Sequence, residues 1–220
     1  MATVYVPAGD VKLAGELTVP PQAIGIVLFA HGSGSSRFSR RNQFVARALE
    51  RRNLATLLID LLTPDEEVLD ERTAHLRFNI PMLAARLVAI VDWLKRRPDT
   101  EDLPVGLFGA STGGGAALRA AAVRPADIAA VVSRGGRPDL AGSVLPSVAA
   151  PTLLVVGGND TAVIAMNRDA MACMRAPVSL EIVPGATHLF EEPGTLERVA
   201  QLATDWFVRH LTPVRHRAPS

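Results

Sequence analysis

Val105-Gly106-Leu107-Phe108-Gly109-Ala110-Ser111-Thr112-Gly113-Gly114-Gly115-Ala116 is the stretch that decides the fold. An apolar run of strand character, 105–109, enters the pattern G-x-S-x-G at Gly109 to Gly113. A small-residue segment of helical character follows at once. A serine held at so sharp a strand-to-helix turn needs an unusual backbone conformation, and flanking glycines remove the side chains that would collide there. Its hydroxyl then projects at the C-terminal edge of a sheet. The helix start beside it adds the positive end of a dipole and free backbone N–H groups, both suited to a developing oxyanion. Five residues alone also fit a glycine-rich turn with an N-capping serine, so the flanking segments carry the decision.

Outward from this turn, short runs rich in Val, Leu and Ile alternate with longer Ala, Leu and Arg segments. Strands are expected at 15–19, 24–30, 55–59, 105–109, 129–133, 152–156 and 180–183. Helices are expected at 40–52, 81–96, 113–123, 163–174 and 196–210. This alternation predicts an α/β protein, a parallel sheet with helices on both faces. Residues 4–19 read as two short strands joined by a turn at Pro7 to Asp10, an antiparallel edge to that sheet. The charged segment 62–80 reads as a long loop near the mouth of the site. Residues 212–220 read as a frayed tail. The 220 residues, 48% of them hydrophobic, suit one domain with a single substantial core.

Two further residues complete the chemistry. The strand at 152–156 ends in Gly157-Gly158-Asn159-Asp160, which puts a carboxylate past a strand's C-terminal end, at the same edge as Ser111. The next strand runs into Pro184-Gly185-Ala186-Thr187-His188, and brings an imidazole to that edge too. Serine is a weak nucleophile until a neutral imidazole accepts its proton, and the imidazole needs a carboxylate to fix its tautomer and stabilise its cation. Ser111, Asp160 and His188, in that chain order, are therefore expected as nucleophile, orienting acid and general base. Glu191 and Glu192 are alternative partners for His188. Cys173, the one cysteine, is a rival nucleophile whose mid-helix setting reads instead as a small buried core residue.

A second glycine-rich loop, His31-Gly32-Ser33-Gly34, follows the strand at 24–30. The backbone N–H of Ser33, with that of Thr112, is expected to hold the carbonyl oxygen as it becomes tetrahedral. His31 is expected to hold this loop by hydrogen bonding and not to transfer protons. Arg134, helped by Arg77, is expected to receive an acidic group of the substrate; surface pairing with Asp65, Glu66, Asp70 or Asp139 is the competing role.

Composition narrows the partners. Lys and Arg number 23 against 22 Asp and Glu, so nothing in the net balance calls for nucleic acid or an anionic membrane. A small-molecule ester fits better. No leader or membrane span is read, and a single cysteine rules out an intrachain disulfide, so a cytoplasmic location is expected. No metal-ligand spacing and no dinucleotide fingerprint occur, so no metal and no cofactor are expected.

Taken together, His31-Gly32-Ser33-Gly34, Gly109-Ala110-Ser111-Thr112-Gly113, Gly158-Asn159-Asp160 and Gly185-Ala186-Thr187-His188 resemble the α/β-hydrolase superfamily. Compact length and the lack of any insertion large enough for a cap domain look most like the dienelactone hydrolase family. That resemblance implies an eight-stranded, mostly parallel sheet and hydrolysis of a small ester or lactone. Members of that family proper use cysteine where this chain has Ser111, which shifts the reading toward general carboxylic ester, lactone or thioester hydrolysis. The same style of sequence also resembles hydrolase modules fused to phosphoribosyltransferase domains. The expected function is hydrolysis through an acyl-enzyme; a ligand-binding or sensor protein, and an acyltransferase or perhydrolase, are the alternatives.

Overall fold

In the computed structural model, which describes residues 1–212, eight strands form one sheet: β1 (Ala2–Ala8), β2 (Val11–Thr18), β3 (Gly25–Ala30), β4 (Leu54–Ile59), β5 (Val105–Ala110), β6 (Ile128–Arg134), β7 (Thr152–Gly157) and β8 (Val178–Val183). Their order across the sheet is β1-β2-β4-β3-β5-β6-β7-β8. Pairings are antiparallel from β1 through β2 to β4 and parallel thereafter. The expected α/β fold and its antiparallel edge are thus present, and among the described residues no cap domain interrupts them. All but one residue of the expected tail, 213–220, lie outside the described residues.

The strand sequences explain this arrangement. Every residue of β3, β4, β5 and β7 is buried, as expected of strands covered on both faces. One face packs Leu28, Leu57 and Leu107 beneath α3 (Ile80–Leu94) and α4 (Thr112–Val123). The other packs Phe29 and Phe108, with ring centroids 4.9 Å apart, beneath α1 (Arg40–Glu50) and α6 (Thr195–Leu211). Full burial of each such side chain contributes about 1.5–3 kcal/mol. A further helix, α5 (Thr161–Cys173), follows β7.

Two segments depart from the sequence reading. Residues 62–80 are not a loop: they contain α2 (Pro64–Thr73), and a short 3₁₀ stretch, Pro138–Ser147, follows β6. The apolar residues of α2, Val68 and Leu69, are exposed, so it carries no buried stripe and periodicity could not find it. Its start was nevertheless written in the sequence. Thr63 and Glu66 form a reciprocal capping box with Pro64 at the first helical position, the signature T-P-x-E.

Candidate active site

Ser111 sits between the last residue of β5 and the first of α4, with φ 50° and ψ −121°. Such a conformation strains any residue with a Cβ and persists only where the surroundings enforce it. The enforcement is visible: Ser111 N–H donates to the Arg134 carbonyl at 3.2 Å, and the Ser111 carbonyl accepts from Gly114 N–H and Arg137 N–H at 3.0 Å each. The glycines permit the turn. A Cβ on Gly109 would lie 2.5 Å from the Gly113 carbonyl oxygen, and one on Gly113 would lie 2.2 Å from that of Ala30.

Asp160 occupies the N-cap position of α5, yet its side chain makes no capping bond. Instead Oδ2 lies 2.7 Å from His188 Nδ1. That contact assigns the Nδ1 proton and leaves Nε2 to face a substrate. The loops bearing the pair are tied together: Asn159 N–H donates to the Ala186 carbonyl and Asn159 Nδ2 to the Gly185 carbonyl, both at 2.9 Å. Glu192 accepts from Thr187 N–H and Oγ1, and these bonds hold its carboxyl below the usual range. It braces the histidine loop. Glu191 pairs with Arg41 at 3.1 Å, so neither glutamate is the partner of His188.

His188 and Ser111 line one cavity of about 270 Å³, together with Ser39, Arg41, Asn42, Arg134 and Leu189. Among the described residues the Ser111 hydroxyl makes no hydrogen bond to the imidazole ring. Catalytic hydrogen bonds of this kind are commonly long in ligand-free proteins and tighten when substrate binds.

The loop after β3 is fixed by His31. Its Nε2 accepts from Leu61 N–H at 2.9 Å, so Nδ1 carries the proton and donates to the Gly32 carbonyl at 2.9 Å. Burial is the chief cause that lowers its pKa, so the ring stays neutral and structural. Ser33 N–H points at the turn that bears Ser111, where it donates to Thr112 Oγ1 at 2.9 Å. Thr112 N–H, at the first position of α4, has no intrahelical acceptor.

The two arginines expected to act together lie apart. Arg77 Nε bonds Asp70 Oδ2 at 2.5 Å and its Nη2 bonds the Asp70 carbonyl at 2.9 Å. This pins the end of α2 and follows from Asp70 being buried. Arg77 borders a neighbouring lobe, beside Glu67 and Glu71. Arg134, the last residue of β6 and not part of the loop after it, is 6% exposed and, among the described residues, has no carboxylate partner. Its Nη2 donates to Asn42 Oδ1 at 3.2 Å, while its Nε is buried without an acceptor. Burial, and then the nearby charge of Arg41, lower its pKa to about 10.

Arg41 and Asn42 were missed in the sequence. Both stand in the first turn of α1, capped by Ser39, and a helix that starts at the catalytic edge presents its first turn to the site; that placement was the available signal. Cys173 is exposed, not buried. It ends α5, whose 13 residues carry it about 20 Å from Asp160 at 1.5 Å per residue, away from the cavity. Among the described residues no cluster of His, Cys, Asp and Glu could hold a metal ion, and no helix is long and apolar enough to cross a membrane.

Comparison with known proteins places this site in company. The family model described as the dienelactone hydrolase family matches residues 49–211. A crystal structure of a dienelactone hydrolase from Anabaena variabilis is 62% identical, with a TM-score of 0.94, and the match covers 96% of this chain and 97% of that one. Est1E from Butyrivibrio proteoclasticus, at 18% identity and a TM-score of 0.78, covers 97% of this chain and 100% of its own, a likeness of fold alone. A protein from Mycobacterium tuberculosis named a putative phosphoribosyl transferase is 59% identical over 208 residues. That match takes in 94% of this chain but 46% of the relative, so the chain spans about half the length of the curated relatives it matches.

Proposed function

Because the chain belongs to the dienelactone hydrolase family, and is a hydrolase of the α/β-hydrolase fold, we propose that it cleaves small carboxylic esters, lactones or thioesters through an acyl-enzyme on Ser111. The single observation that carries this reading is the 2.7 Å contact of Asp160 Oδ2 with Nδ1 of His188, whose ring lines one cavity with Ser111. Ser111 Oγ attacks the carbonyl carbon as His188 Nε2 takes its proton. The imidazolium, stabilised by Asp160, returns that proton to the leaving group as the tetrahedral species collapses. Water repeats the sequence on the acyl-enzyme. Backbone N–H groups at the nucleophile turn and the Gly32–Ser33 loop favour the oxyanion.

Arg134 extends the proposal to the substrate. A buried guanidinium with no carboxylate partner among the described residues, lining the cavity of Ser111, suits an ester that carries an anionic group. Arg41 adds its charge from the same wall, while Arg77 remains engaged by Asp70. The phosphoribosyl-transferase name of the mycobacterial relatives belongs to proteins about twice this length and does not direct the reading. A ligand-binding protein without turnover has one observation in its favour, the missing bond between Ser111 and His188.

The test is a panel of p-nitrophenyl esters of increasing acyl length, run beside a fluorophosphonate label and the Ser111→Ala variant. Turnover and labelling that both vanish in Ser111→Ala are expected. Labelling without turnover would select the ligand-binding reading, and turnover that survives Ser111→Ala would sink the proposal.

A further inference from the structure

Arg134 and Arg41 line the same cavity as Ser111 and His188, and their nitrogens are used in matching ways. Arg134 Nη2 donates to Asn42 Oδ1 at 3.2 Å, and Arg41 Nη1 donates to the exposed Glu191 at 3.1 Å. The Nε of each is buried without an acceptor. One terminal nitrogen is left on each side chain, Nη1 of Arg134 and Nη2 of Arg41, and neither has a partner among the described residues. Arg134 is 6% exposed, and a buried guanidinium that holds donors idle is uncommon unless a ligand supplies the acceptor.

The start of α1 belongs to the same wall. Ser39, its N-cap, and Arg41 and Asn42 in its first turn all line the cavity. Ser39 answers two of the opening amides: its hydroxyl accepts from Asn42 N–H at 3.3 Å and its carbonyl from Gln43 N–H at 2.9 Å. The N–H groups of Arg40 and Arg41 precede these and have no intrahelical acceptor. An acid in the first turn would ordinarily meet the positive end of the helix dipole, yet this turn has none and holds Arg40 and Arg41 in its place. Those are two cations where cations are unfavourable. An anion in the cavity would satisfy both the open amides and the charges, as it does at other helix starts.

The pattern of idle donors selects the anion. A carboxylate is planar and is held best by two prongs of one guanidinium, but in both arginines Nε is buried and one terminal nitrogen is already engaged. Single donors from two side chains and a helix start suit a tetrahedral group with three terminal oxygens and nearly two charges, which is a phosphate monoester. We propose that this wall receives a phosphate dianion, so that the ester cleaved on Ser111 carries a phosphate monoester on its acyl or its alcohol part. Arg134 Nη1, Arg41 Nη2 and the first amides of α1 donate to the phosphate oxygens. The phosphate is a handle and not the reacting group: the Ser111 Oγ to carbon bond forms, the bond from carbon to the alcohol oxygen breaks, and His188 passes the serine proton to that oxygen. Every P–O bond stays whole, and water then releases the acyl group.

The phosphate site deepens the hydrolase reading and rests on it, and the test tells the two apart. Acetates of matched length are compared: acetoxyethyl phosphate, its methyl phosphodiester, acetoxybutanoate and butyl acetate. Ethyl phosphonooxypropanoate, which puts the phosphate on the acyl part, is run beside ethyl pentanoate. For the phosphate monoester in one of the two positions, kcat/KM is expected to exceed that on the carboxylate and the phosphodiester about tenfold or more, and that on the neutral ester about 10²-fold or more, the worth of one and of two charge-assisted hydrogen bonds. The ratio of phosphate to neutral ester is expected to fall about tenfold in Arg134→Met and again in Arg41→Gln. Inorganic phosphate, at matched ionic strength, is expected to compete with the neutral ester and to lose about tenfold in affinity in either variant. A carboxylate or phosphodiester cleaved as well as both phosphate monoesters, or a ratio that neither substitution moves, overturns the phosphate site and leaves the hydrolase reading intact. The substrate comparison uses the unaltered protein, so it decides even where a variant fails to fold. No turnover of any ester, with Ser111 unlabelled by the fluorophosphonate, would instead overturn the hydrolase reading and the phosphate ester with it.

Discussion

Replacing Arg134 with methionine is expected to make the protein more stable and a worse enzyme for anionic esters. The magnitude follows from the environment of the guanidinium. Burial, and next the charge of Arg41, push its pKa well below the ordinary guanidinium range, to about 10, which amounts to roughly 3 kcal/mol against the charged form. The unfolded chain binds the proton more tightly, so the cost is present throughout neutral pH and fades only as pH rises above about 10. Methionine keeps the length and the contact with Phe190, whose ring centroid lies 5.9 Å from the guanidinium carbon, and gives up the bond to Asn42, worth about 1 kcal/mol. A net gain of about 1–2 kcal/mol should remain, or about 3–6 °C in Tm for a domain of this size. Urea and thermal unfolding measure the first half. For the second, kcat/KM on hemisuccinate-type esters is compared with that on neutral esters of equal length; the anionic ones should lose about 10-fold to 100-fold, the worth of a charge-assisted hydrogen bond, and the neutral ones should hold. An Arg134→Met protein that unfolds earlier, or that loses both ester types equally, would refute the reasoning, because the arginine would then be a structural member and not an unpaired receptor.

Other expectations follow from the same geometry. Asp160→Asn should lower kcat by about 10⁴-fold with an unaltered melting curve, because an amide presents the wrong tautomer to His188 without disturbing the loops; a loss smaller than tenfold would make the carboxylate dispensable. Gly113→Ala should fail to give soluble folded protein or melt far below the parent, since its methyl would enter the Ala30 carbonyl, and a stable, active variant would contradict the packing described. His31 is held neutral by burial. Its contribution to stability is whole above pH 6.5, the unfolded value, and is lost as pH falls below it. Urea midpoints of the parent should therefore decline between pH 7 and 5 more steeply than those of His31→Asn, and parallel slopes would remove His31 as the cause. Alkylation of the exposed Cys173 should go to completion with esterase activity intact.

The sheet was legible because its central strands are buried on both faces, and double burial leaves a continuous apolar run that no surface segment imitates. β5 and β7 were read to within a residue on that account. Edges fared less well. β8 has only Val183 fully buried, so its first residues, Val178 and Ser179, did not stand out, and β1 with its exposed Tyr5 could be inferred only through its turn. α2 marks the limit of periodicity: it is held by a capping box and by ion pairs, Glu66 with Arg86 and Asp70 with Arg77. Side chains of opposite charge carry no signal of which partner each will find.

The same division runs through the site. Ser111, Asp160 and His188 each follow the end of a parallel strand, so knowing the strands fixes the edge at which they emerge, and backbone topology alone brings them near one another. The connections that tune the site have no such guarantee. Whether Ser33 N–H faces substrate or Thr112 Oγ1 turns on a contact between residues 79 positions apart. Whether Arg134 meets a carboxylate turns on what the first turn of α1 places beside it: Asn42 offers one neutral oxygen, and Arg41 offers a like charge. Topology therefore specifies which chemistry is assembled, and side-chain packing specifies for which substrate. Variation among proteins with this sheet should accordingly be tolerated at positions such as Asn42 and Arg134 with a change of ester preference, and at Gly109 or Gly113 only with loss of the turn that exposes Ser111.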